Sequence, residues 1–456
     1  MRAKDLPARQ VWLSFYASTW HEYNNFGALR PYLIRVGMAM TASFDAASPL
    51  RIAYLCDEDP RDRHSYSGGN ARILAALRAH VGAVTVLDHR WHGAEPARRL
   101  IEAAPPAIAM RTRWRAQLAL APMIARGVAR ELAAGKHDVL FCAYGFHALH
   151  ALRLPRGMIC AYTSDATPSI YRRSRVGAAY GSYLSASRLL DPLIERAERR
   201  VFQGCDALFW PSKWLRDAAI RRYGLDPARA HLVPWGAGIG DPGPPADVPL
   251  VRGGDIRLLL LGRDWEGKGG PLAVAVLSGL RAAGHDARLT VIGCTPPEAD
   301  RGPHVTVCPH LDKSIPAECA QLCEALARAH FMVMPSFESF GFAFCEASAY
   351  GLPSLCLDVG GVPVRDGVNG YALPPGSGAD DFMGIIVDYI GDPARYRALR
   401  ASARSEYETR LNWRVWGEAV RARLLALRAQ QPVPQSTTRT VRSITERSVM
   451  SDRSRK

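Results

Sequence analysis

The sequence lacks any apolar run long enough to cross a bilayer, and no charged-then-apolar segment opens the chain. A membrane-spanning helix needs roughly 18–20 predominantly apolar residues, and a secretory signal needs a basic start followed by an apolar stretch. Hydrophobic residues make up 48% of the chain and charged residues 22%, a balance typical of soluble globular proteins. We therefore expect a cytoplasmic protein.

Disulfide and metal-ligand patterns are also missing. None of the ten cysteines forms a CxxC pair, and Cys319 and Cys323, one helical turn apart, have no accompanying histidine or second cysteine pair. His64, His147 and His310 are scattered without the spacing of a zinc site. We expect reduced, structural thiols and no metal.

The excess of charge is positive, with 58 Lys and Arg against 43 Asp and Glu and a formal net charge of +15. No zinc finger or RNP-like aromatic motif accompanies it, so nucleic acid is not an expected partner. The charge fits attraction to anionic ligands or membranes, or an arginine-rich genome composition without a function. Arg111, Arg113, Arg115 and Arg126 border an apolar segment at 118–124. They predict either a peripheral contact with the inner membrane face or a helix with a solvated basic side.

Short apolar stretches recur along the chain at the spacing of strands that alternate with helices. At 456 residues the chain exceeds one ordinary core, and this alternation predicts parallel sheets with helices on both faces. The predicted strands lie at 51–56, 83–87, 138–142, 158–162, 207–210 and 231–234, and then at 256–261, 288–292, 305–307, 331–334 and 354–357.

A glycine- and proline-rich stretch at 236–254 separates the two runs of strands and favours a linker. Residues 1–49 show no clear period and are interpreted as a poorly ordered extension or a mis-assigned start. We predict two Rossmann-like, doubly wound α/β domains that face each other across a cleft, with the site at the carboxyl ends of their strands. The predicted segments are an N-terminal domain at 50–236, a hinge at 237–254, a C-terminal domain at 255–410, a helix at 411–430 and a disordered tail at 431–456.

Two glutamates, Glu338 and Glu346, stand eight residues apart across a predicted strand, tight turn and short helix. Such a turn gathers backbone N–H groups and the positive end of a helix, which suits a phosphate. Carboxylates would repel a phosphate, so the pair makes sense if it accepts hydrogen bonds from hydroxyls on either side. A ligand with hydroxyls that flank a diphosphate is a sugar nucleotide.

Cations and glycines at other strand ends point to the same kind of ligand. Arg263 and Lys268 flank a glycine-containing loop after the strand at 256–261. They could neutralise a diphosphate leaving group, or form a solvated basic loop. Gly68 and Gly69 follow the first strand and would let the backbone approach a ligand closely, or form a plain turn.

Two further strand ends carry candidate site residues. Asp165 follows the strand at 158–162 and could position an acceptor hydroxyl, act as a base, or cap the next segment. Gly360 and Gly361 follow the strand at 354–357 and could give N–H groups to the ligand.

Taken together, these residues resemble the retaining glycosyltransferases of family four, which have the GT-B fold. The resemblance runs from about residue 50 to about 425 and is most specific where the two glutamates occur together with Arg263 and Lys268. The other similar stretches are 198–236, Gly360-Gly361 and Asp366-Gly367-Val368-Asn369-Gly370.

The resemblance implies a role for each site residue. Arg263 and Lys268 would bind the donor diphosphate, Glu338 the sugar hydroxyls and Glu346 the ribose. The backbone amides after the first glutamate would support the sugar and phosphate, and the first-domain glycines would line the phosphate site. These residues are Phe340, Gly341 and Phe342, and Gly68 and Gly69.

The activity implied is retaining transfer of a sugar from a nucleoside diphosphate sugar to an acceptor hydroxyl, without a metal cofactor. The expected acceptor is a carbohydrate or a lipid-linked sugar in bacterial polysaccharide or glycoconjugate synthesis. Two other functions stay open, a sugar-nucleotide epimerase and a sugar-nucleotide-binding partner without catalysis. The epimerase stays open because such enzymes also use two facing α/β domains, and the partner without catalysis because Ser164 stands where many family members have a histidine. The chain also departs from the family where Gly236 is followed by Ala237 and Gly238 without the usual aspartate.

Overall fold

The computed structural model describes residues 49–63, 65–104, 113, 115–179 and 191–431. Residues 1–48 of the predicted extension at 1–49, His64, and residues 432–456 of the predicted tail at 431–456 lie outside the described residues. None of the described helices is long and apolar enough to span a bilayer.

The first half forms a parallel sheet of six strands in the order β2-β1-β3-β4-β5-β6. Its central strands are buried along their whole length, which explains their continuous apolar sequences. The strands are β1 (Leu50–Cys56), β2 (Gly82–Val86), β3 (Val139–Ala143), β4 (Ile159–Thr163), β5 (Ala207–Trp210) and β6 (Ala230–Leu232).

Helices connect these strands. The first begins at the predicted glycine pair and continues as a wider π turn at Leu77–Val81. The described helices of this half are α1 (Gly69–Ala76), α2 (Glu95–Glu102), α3 (Ala121–Ala134), α4 (Phe146–Ala151), α5 (Pro168–Arg172), α6 (Arg175–Ala179), α7 (Asp191–Gly204) and α8 (Lys213–Tyr223).

The second half forms another six-stranded parallel sheet, in the order β12-β11-β10-β7-β8-β9. Its strands are β7 (Ile256–Leu261), β8 (Ala287–Ile292), β9 (Val305–Cys308), β10 (Phe331–Val333), β11 (Ser354–Leu357) and β12 (Gly370–Leu373). Its helices are α9 (Gly270–Ala282), α10 (Pro316–Arg328), α11 (Phe342–Ala349), α12 (Ala379–Ile390) and α13 (Pro393–Thr409), and the long α14 (Trp413–Gln430) follows them.

The strand pattern predicted from the sequence is confirmed, except that β12 was not predicted. This strand is short, begins with Gly370 and has two half-buried residues among its four. It therefore lacks the continuous burial of its neighbours β11 and β10. Its backbone pairs with all four residues of β11, a tertiary contact that local sequence does not reveal.

The C-terminal helix α14 packs back onto the first sheet. The ring of Trp416 meets Phe141 of β3 edge-on, with ring centroids 6.0 Å apart. Gly417 lies so close to His80 that a Cβ there would stand 2.6 Å from the His80 Cβ. Near the start of this helix, Trp413 Nε1 donates to the carbonyl of Ala237 over 2.9 Å. The chain thus crosses between the two halves twice, once near Ala237 and once near Trp413. Because these two crossings contact each other, they help to fix how the two sheets face each other.

Each sheet has one place where the direction of strand order reverses. In the first sheet this switch point lies between β1 and β3, and in the second between β7 and β10. In open parallel sheets, the loops at such a point diverge and leave a crevice at the carboxyl ends of the strands. The loops after these four strands therefore form the walls of the cleft.

Candidate functional site

A cavity of about 740 Å³ lies between the carboxyl edges of the two sheets. Most of the site residues predicted from the sequence line it. From the second domain these are Arg263, Lys268, Glu338, Phe340, Gly341, Phe342 and Glu346, and from the first domain Gly68 and Asp165. The volume is in the range of a small-molecule site, and the lining mixes cations, carboxylates and aromatic rings.

Lys268 and Glu338 come from the two loops at the switch point of the second sheet and form an ion pair. The side chains are 21% and 13% exposed respectively, so the pair is largely shielded from solvent. An ammonium group has three N–H donors, so pairing with Glu338 leaves two of them for a ligand. Arg263, in the same loop as Lys268, is exposed and lines the cavity.

Glu346, about one turn into α11, forms a second, similar pair. Its carboxylate is 1% exposed and accepts a hydrogen bond from Lys313, which lies in the loop after β9. Gly238 lies directly against this carboxylate, because a Cβ on it would collide with Glu346 Oε1. Arg72 of α1 completes the surroundings and donates to the Gly238 carbonyl over 2.8 Å.

The charge of Arg72 is balanced by this arrangement. Burial lowers the pKa of Arg72, while the neighbouring Glu346 carboxylate raises it. The guanidinium also lies over the ring of Phe342, 5.3 Å from its centroid, a cation–π geometry. Arg72 thus joins the first domain to the helix that carries Glu346.

Gly341 precedes α11 with φ +88°, a left-handed conformation that glycine adopts without strain. A helix N-terminus carries a partial positive charge and N–H groups that the helix itself does not satisfy. The helix begins between the two glutamates, so this positive end lies between the two lysine–glutamate pairs. The predicted strand, turn and helix are confirmed.

Gly360 and Gly361 lie against the loop that carries Glu338. The Gly361 N–H donates to the carbonyl of Glu338 over 2.9 Å, and Gly360 forms a bridge with the same residue. A Cβ on either glycine would collide with the carbonyl of Glu338 or Ser339. Neither glycine lines the cavity. The pair packs against the Glu338 loop, and its predicted contact with a ligand stays a prediction.

In the first domain, Gly68 lines the cavity with φ +78°, whereas Gly69 begins α1 behind it and does not line it. Asp165 accepts a hydrogen bond of 2.5 Å from Ser339, the residue next to Glu338. Burial raises the pKa of Asp165, and hydrogen bonds from Ser339 and Tyr144 oppose that rise. The two domains therefore meet at Asp165, on the side of the cavity where Glu338 lies.

The two departures from the family pattern have local explanations. Ser164 is fully buried and its hydroxyl donates to the carbonyl of Ala166 over 2.8 Å, so it points away from the cavity. Gly238 stands where the family aspartate is usual, and any side chain there would collide with Glu346.

Sequence reasoning missed Arg72, Lys313, Tyr66 and Tyr144. Arg72 lies in the first turn of the helix that begins at the glycine pair, a position from which a cation can reach a phosphate. Lys313 lies in the loop after β9, close in sequence to His310 and Leu311, which also line the cavity. The two tyrosines gave no recognisable signal, because only the folded chain brings their loops together.

Two features lie away from the cavity. Arg113 pairs with Glu58 and donates to the Asp57 carbonyl over 3.0 Å, so it is not available for a basic surface. Arg111 lies outside the described residues, and the predicted membrane contact stays a prediction.

Among the described residues, Asp88, His92 and Glu131 bring potential metal-ligand atoms within 4.8 Å of one another.

Comparisons with known proteins agree with this geometry. A family described as "Glycosyltransferase Family 4" matches residues 70–237, and one described as "Glycosyl transferases group 1" matches residues 255–392. A D-inositol 3-phosphate glycosyltransferase of Catenulispora acidiphila is 29% identical over 59% of this chain and 68% of its own length. A GDP-mannose-dependent alpha-(1-6)-phosphatidylinositol monomannoside mannosyltransferase of Mycolicibacterium smegmatis is 26% identical over 62% of this chain and 75% of its own length.

Solved structures show the same fold at low sequence identity. Sucrose-phosphate synthase from Thermosynechococcus elongatus superposes with a TM-score of 0.57 at 18% identity, covering 84% of this chain and all of that one. HepE of Anabaena, crystallised with UDP, gives 0.52 at 13% identity, covering 83% of this chain and all of that one. These similarities support the two-domain arrangement of parallel sheets.

Proposed function

Because the chain belongs to glycosyltransferase family four and has the GT-B fold, we propose that it transfers a sugar from a nucleoside diphosphate sugar to an acceptor hydroxyl with retention of the anomeric configuration. The observation that carries the proposal is the pair of lysine–glutamate contacts on either side of the α11 N-terminus, Lys268 with Glu338 and Lys313 with Glu346. Each of these two glutamates has its own lysine, which reduces the repulsion that two unpaired carboxylates would exert on a diphosphate. The carboxylates are then free to accept hydrogen bonds from hydroxyls.

In this proposal, the diphosphate lies at the N-terminus of α11. Lys268 keeps its contact with Glu338 and uses its remaining N–H donors on the phosphate oxygens, while Arg263 approaches from the solvent side. Glu338 accepts hydrogen bonds from hydroxyls of the donor sugar. Glu346, buried about one turn into the helix, accepts those of the ribose.

The reaction then needs charge stabilisation more than covalent chemistry. The bond between the anomeric carbon and the diphosphate oxygen breaks, and the bond from that carbon to the acceptor oxygen forms on the same face. The acceptor proton passes to the departing diphosphate, whose negative charge is stabilised by Lys268, Arg263 and the helix N-terminus. Asp165 lies beside Ser339 on the first-domain wall and would position the acceptor hydroxyl.

The comparisons suggest the chemical class of the acceptor. The relatives' names give inositol 3-phosphate and a phosphatidylinositol monomannoside as acceptors, and GDP-mannose as one donor. We therefore propose a polyhydroxylated acceptor, a carbohydrate or a lipid-linked sugar, in bacterial polysaccharide or glycoconjugate synthesis. The base and sugar of the donor are to be identified by experiment.

The first experiment is a donor screen, in which thermal shift is measured with UDP-, GDP- and ADP-sugars. A ligand that binds only the folded state raises its stability by an amount set by concentration and affinity. We expect one nucleotide class to raise the unfolding temperature and to do so less in the Lys268→Met variant. No shift with any sugar nucleotide would contradict the proposed donor site.

The second experiment separates the alternative functions. The bound donor is incubated with and without p-nitrophenyl glycosides as acceptors, and the products are separated by chromatography. Transfer that depends on the acceptor supports the proposal. A new sugar nucleotide formed from the donor alone would indicate an epimerase. Binding without transfer or hydrolysis would indicate a partner protein without catalysis.

A further inference from the structure

The left-handed turn after β1 presents an aromatic ring to the cavity that the proposed donor site does not use. Tyr66 is 36% exposed and lines the cavity. Its ring stacks on that of Tyr144, from the loop after β3, with centroids 3.9 Å apart and planes 10° from parallel. The two residues come from the two loops at the switch point of the first sheet, the counterpart of the loops that carry Lys268 and Glu338.

Backbone strain is concentrated in the two loops that carry Tyr66 and Tyr144. Among the described residues, four that are not glycine have positive φ, and three of them are Tyr66, Ser67 and Tyr144, at 50°, 53° and 61°. The left-handed conformation is unfavourable for a residue with a Cβ, because the Cβ approaches the following carbonyl oxygen. A bulky side chain in such a conformation is unusual, and strain of this kind clusters at ligand sites. A glycine at position 66 would relieve the strain but would remove the aromatic ring. The strained turn therefore serves to hold that ring in place.

A hydrogen bond to the end of β1 fixes the orientation of the Tyr66 side chain. Its hydroxyl donates a hydrogen bond of 2.6 Å to Asp57 Oδ2, at the end of β1. Arg113 holds the same segment by donating to the Asp57 carbonyl and by pairing with Glu58. Tyr144 covers one ring face of Tyr66, and Tyr66 is among the residues that line the cavity.

The position of this ring relative to the donor favours the acceptor. Tyr144 bonds to Asp165, and Asp165 bonds to Ser339 next to Glu338, which is the end of the cavity proposed for the donor sugar. The end of the cavity that is proposed for the nucleoside contains Glu346 and its partner Lys313, in the second domain. A group stacked on Tyr66 would therefore lie on the first-domain wall, across from the sugar end of the donor.

We propose that Tyr66, backed by Tyr144, is a stacking platform for a six-membered polyhydroxylated ring of the acceptor. A pyranose or cyclitol ring has faces of C–H bonds, which are apolar and attracted to the negative face of an aromatic ring. The hydroxyls at its edge would remain free for Asp165. This inference rests on the proposed transfer reaction and narrows its acceptor class, since an acyclic polyol has no such face.

The test compares three acceptor probes in the wild-type enzyme and in Tyr66→Asn, which removes the ring but tolerates the left-handed conformation. The probes are p-nitrophenyl pyranosides, myo-inositol 1-phosphate and the acyclic glycerol 3-phosphate. We expect kcat/KM for the ring acceptor that the enzyme uses to fall about 5–30-fold, mostly through KM, a loss consistent with one stacked ring. Which of the first two probes is used distinguishes a pyranose from a cyclitol.

Two matched variants define the controls. Tyr66→Phe keeps the ring and loses only the bond to Asp57, so its loss should be smaller than that of Tyr66→Asn. Leu100→Asn changes an exposed apolar side chain outside the cavity and should have no effect. An equal loss for glycerol 3-phosphate, or an unchanged KM for the ring acceptors, would overturn the proposal.

Nucleotide affinity separates this inference from the alternative that the ring stacks on the donor base. The Kd for UDP and GDP, measured by calorimetry, should be the same in the wild type and in Tyr66→Asn. A weaker Kd in the variant would assign the platform to the base and refute the acceptor role. Saturation-transfer NMR on the C–H protons of the pyranosides reports ring binding without turnover. A signal that depends on Tyr66 in an enzyme with no transferase activity would support the platform while rejecting the proposed function.

Discussion

The ion pair between Lys268 and Glu338 gives the most informative perturbation of the proposed donor site. The pair is largely shielded, with the two side chains 21% and 13% exposed. Removing the lysine leaves the glutamate charge without its partner. Exposed pairs are worth roughly 0.2–1 kcal/mol and breaking a fully buried pair costs roughly 3–5 kcal/mol. For this intermediate case we expect Lys268→Met to lower the free energy of unfolding by about 1–3 kcal/mol.

The same substitution should affect turnover more strongly than stability. Losing one donor that stabilises developing charge on a leaving group typically costs roughly 2.7–4 kcal/mol of activation free energy. We therefore expect kcat of Lys268→Met to fall about 10²–10³-fold, a loss that reduced folding alone does not explain.

A double-mutant cycle with Glu338→Gln separates the two effects. The double variant Lys268→Met/Glu338→Gln has no unpaired charge, so it should recover most of the lost stability in urea unfolding while kcat stays low. Steady-state kinetics and unfolding are measured on all four proteins. A kcat within threefold of the wild type in Lys268→Met would refute the assigned role, and an unchanged stability would show that the ion pair contributes nothing to folding.

Three further predictions test other parts of the account. Gly238→Ala places a Cβ against Glu346 and should weaken nucleotide binding at least about 10-fold by calorimetry, whereas Gly240→Ala, whose Cβ meets nothing within 4 Å, should bind normally. Arg263→Ala removes an exposed cation and should lower kcat roughly 10²-fold with an unchanged unfolding temperature, and a shift in that temperature would indicate a structural role. Burial raises the pKa of Asp57 from 3.8 to about 6, an effect opposed by the Tyr66 hydroxyl. The folded state therefore holds this proton more tightly than the unfolded state does. Its contribution to the free energy of unfolding falls as pH rises from about 4 to about 6, by up to roughly 3 kcal/mol, and Asp57→Asn should remove that part of the pH dependence in urea unfolding at pH 4–7.

The sequence allowed the fold to be predicted because the buried strands are continuous apolar runs. Ala207–Trp210 and Ile256–Leu261 have the bounds expected from their composition, and both are almost entirely buried. The return of α14 to the first sheet was not predictable, because it depends on the contact of Trp416 with Phe141, far apart in the chain.

The candidate site was predicted in part for a similar reason. Glu338 and Glu346 could be identified because they share one strand–turn–helix unit, whose local geometry follows from the sequence. Their lysine partners come from other loops, at 268 and 313. Those pairings follow from the strand order of the second sheet, which local sequence does not specify. The close packing of Gly360 and Gly361 against the Glu338 loop was not predicted, because a glycine pair suits amide donation and close packing equally well.

The most direct test of the central claim is an NMR time course of the enzyme with its identified donor and an accepted p-nitrophenyl glycoside. The anomeric proton of the donor, its coupling constant and those of the products are followed together. The account predicts a new glycoside with the anomeric configuration of the donor, formed only when the acceptor is present. A product of inverted configuration, or conversion of the donor in the absence of acceptor to another sugar nucleotide, would contradict it.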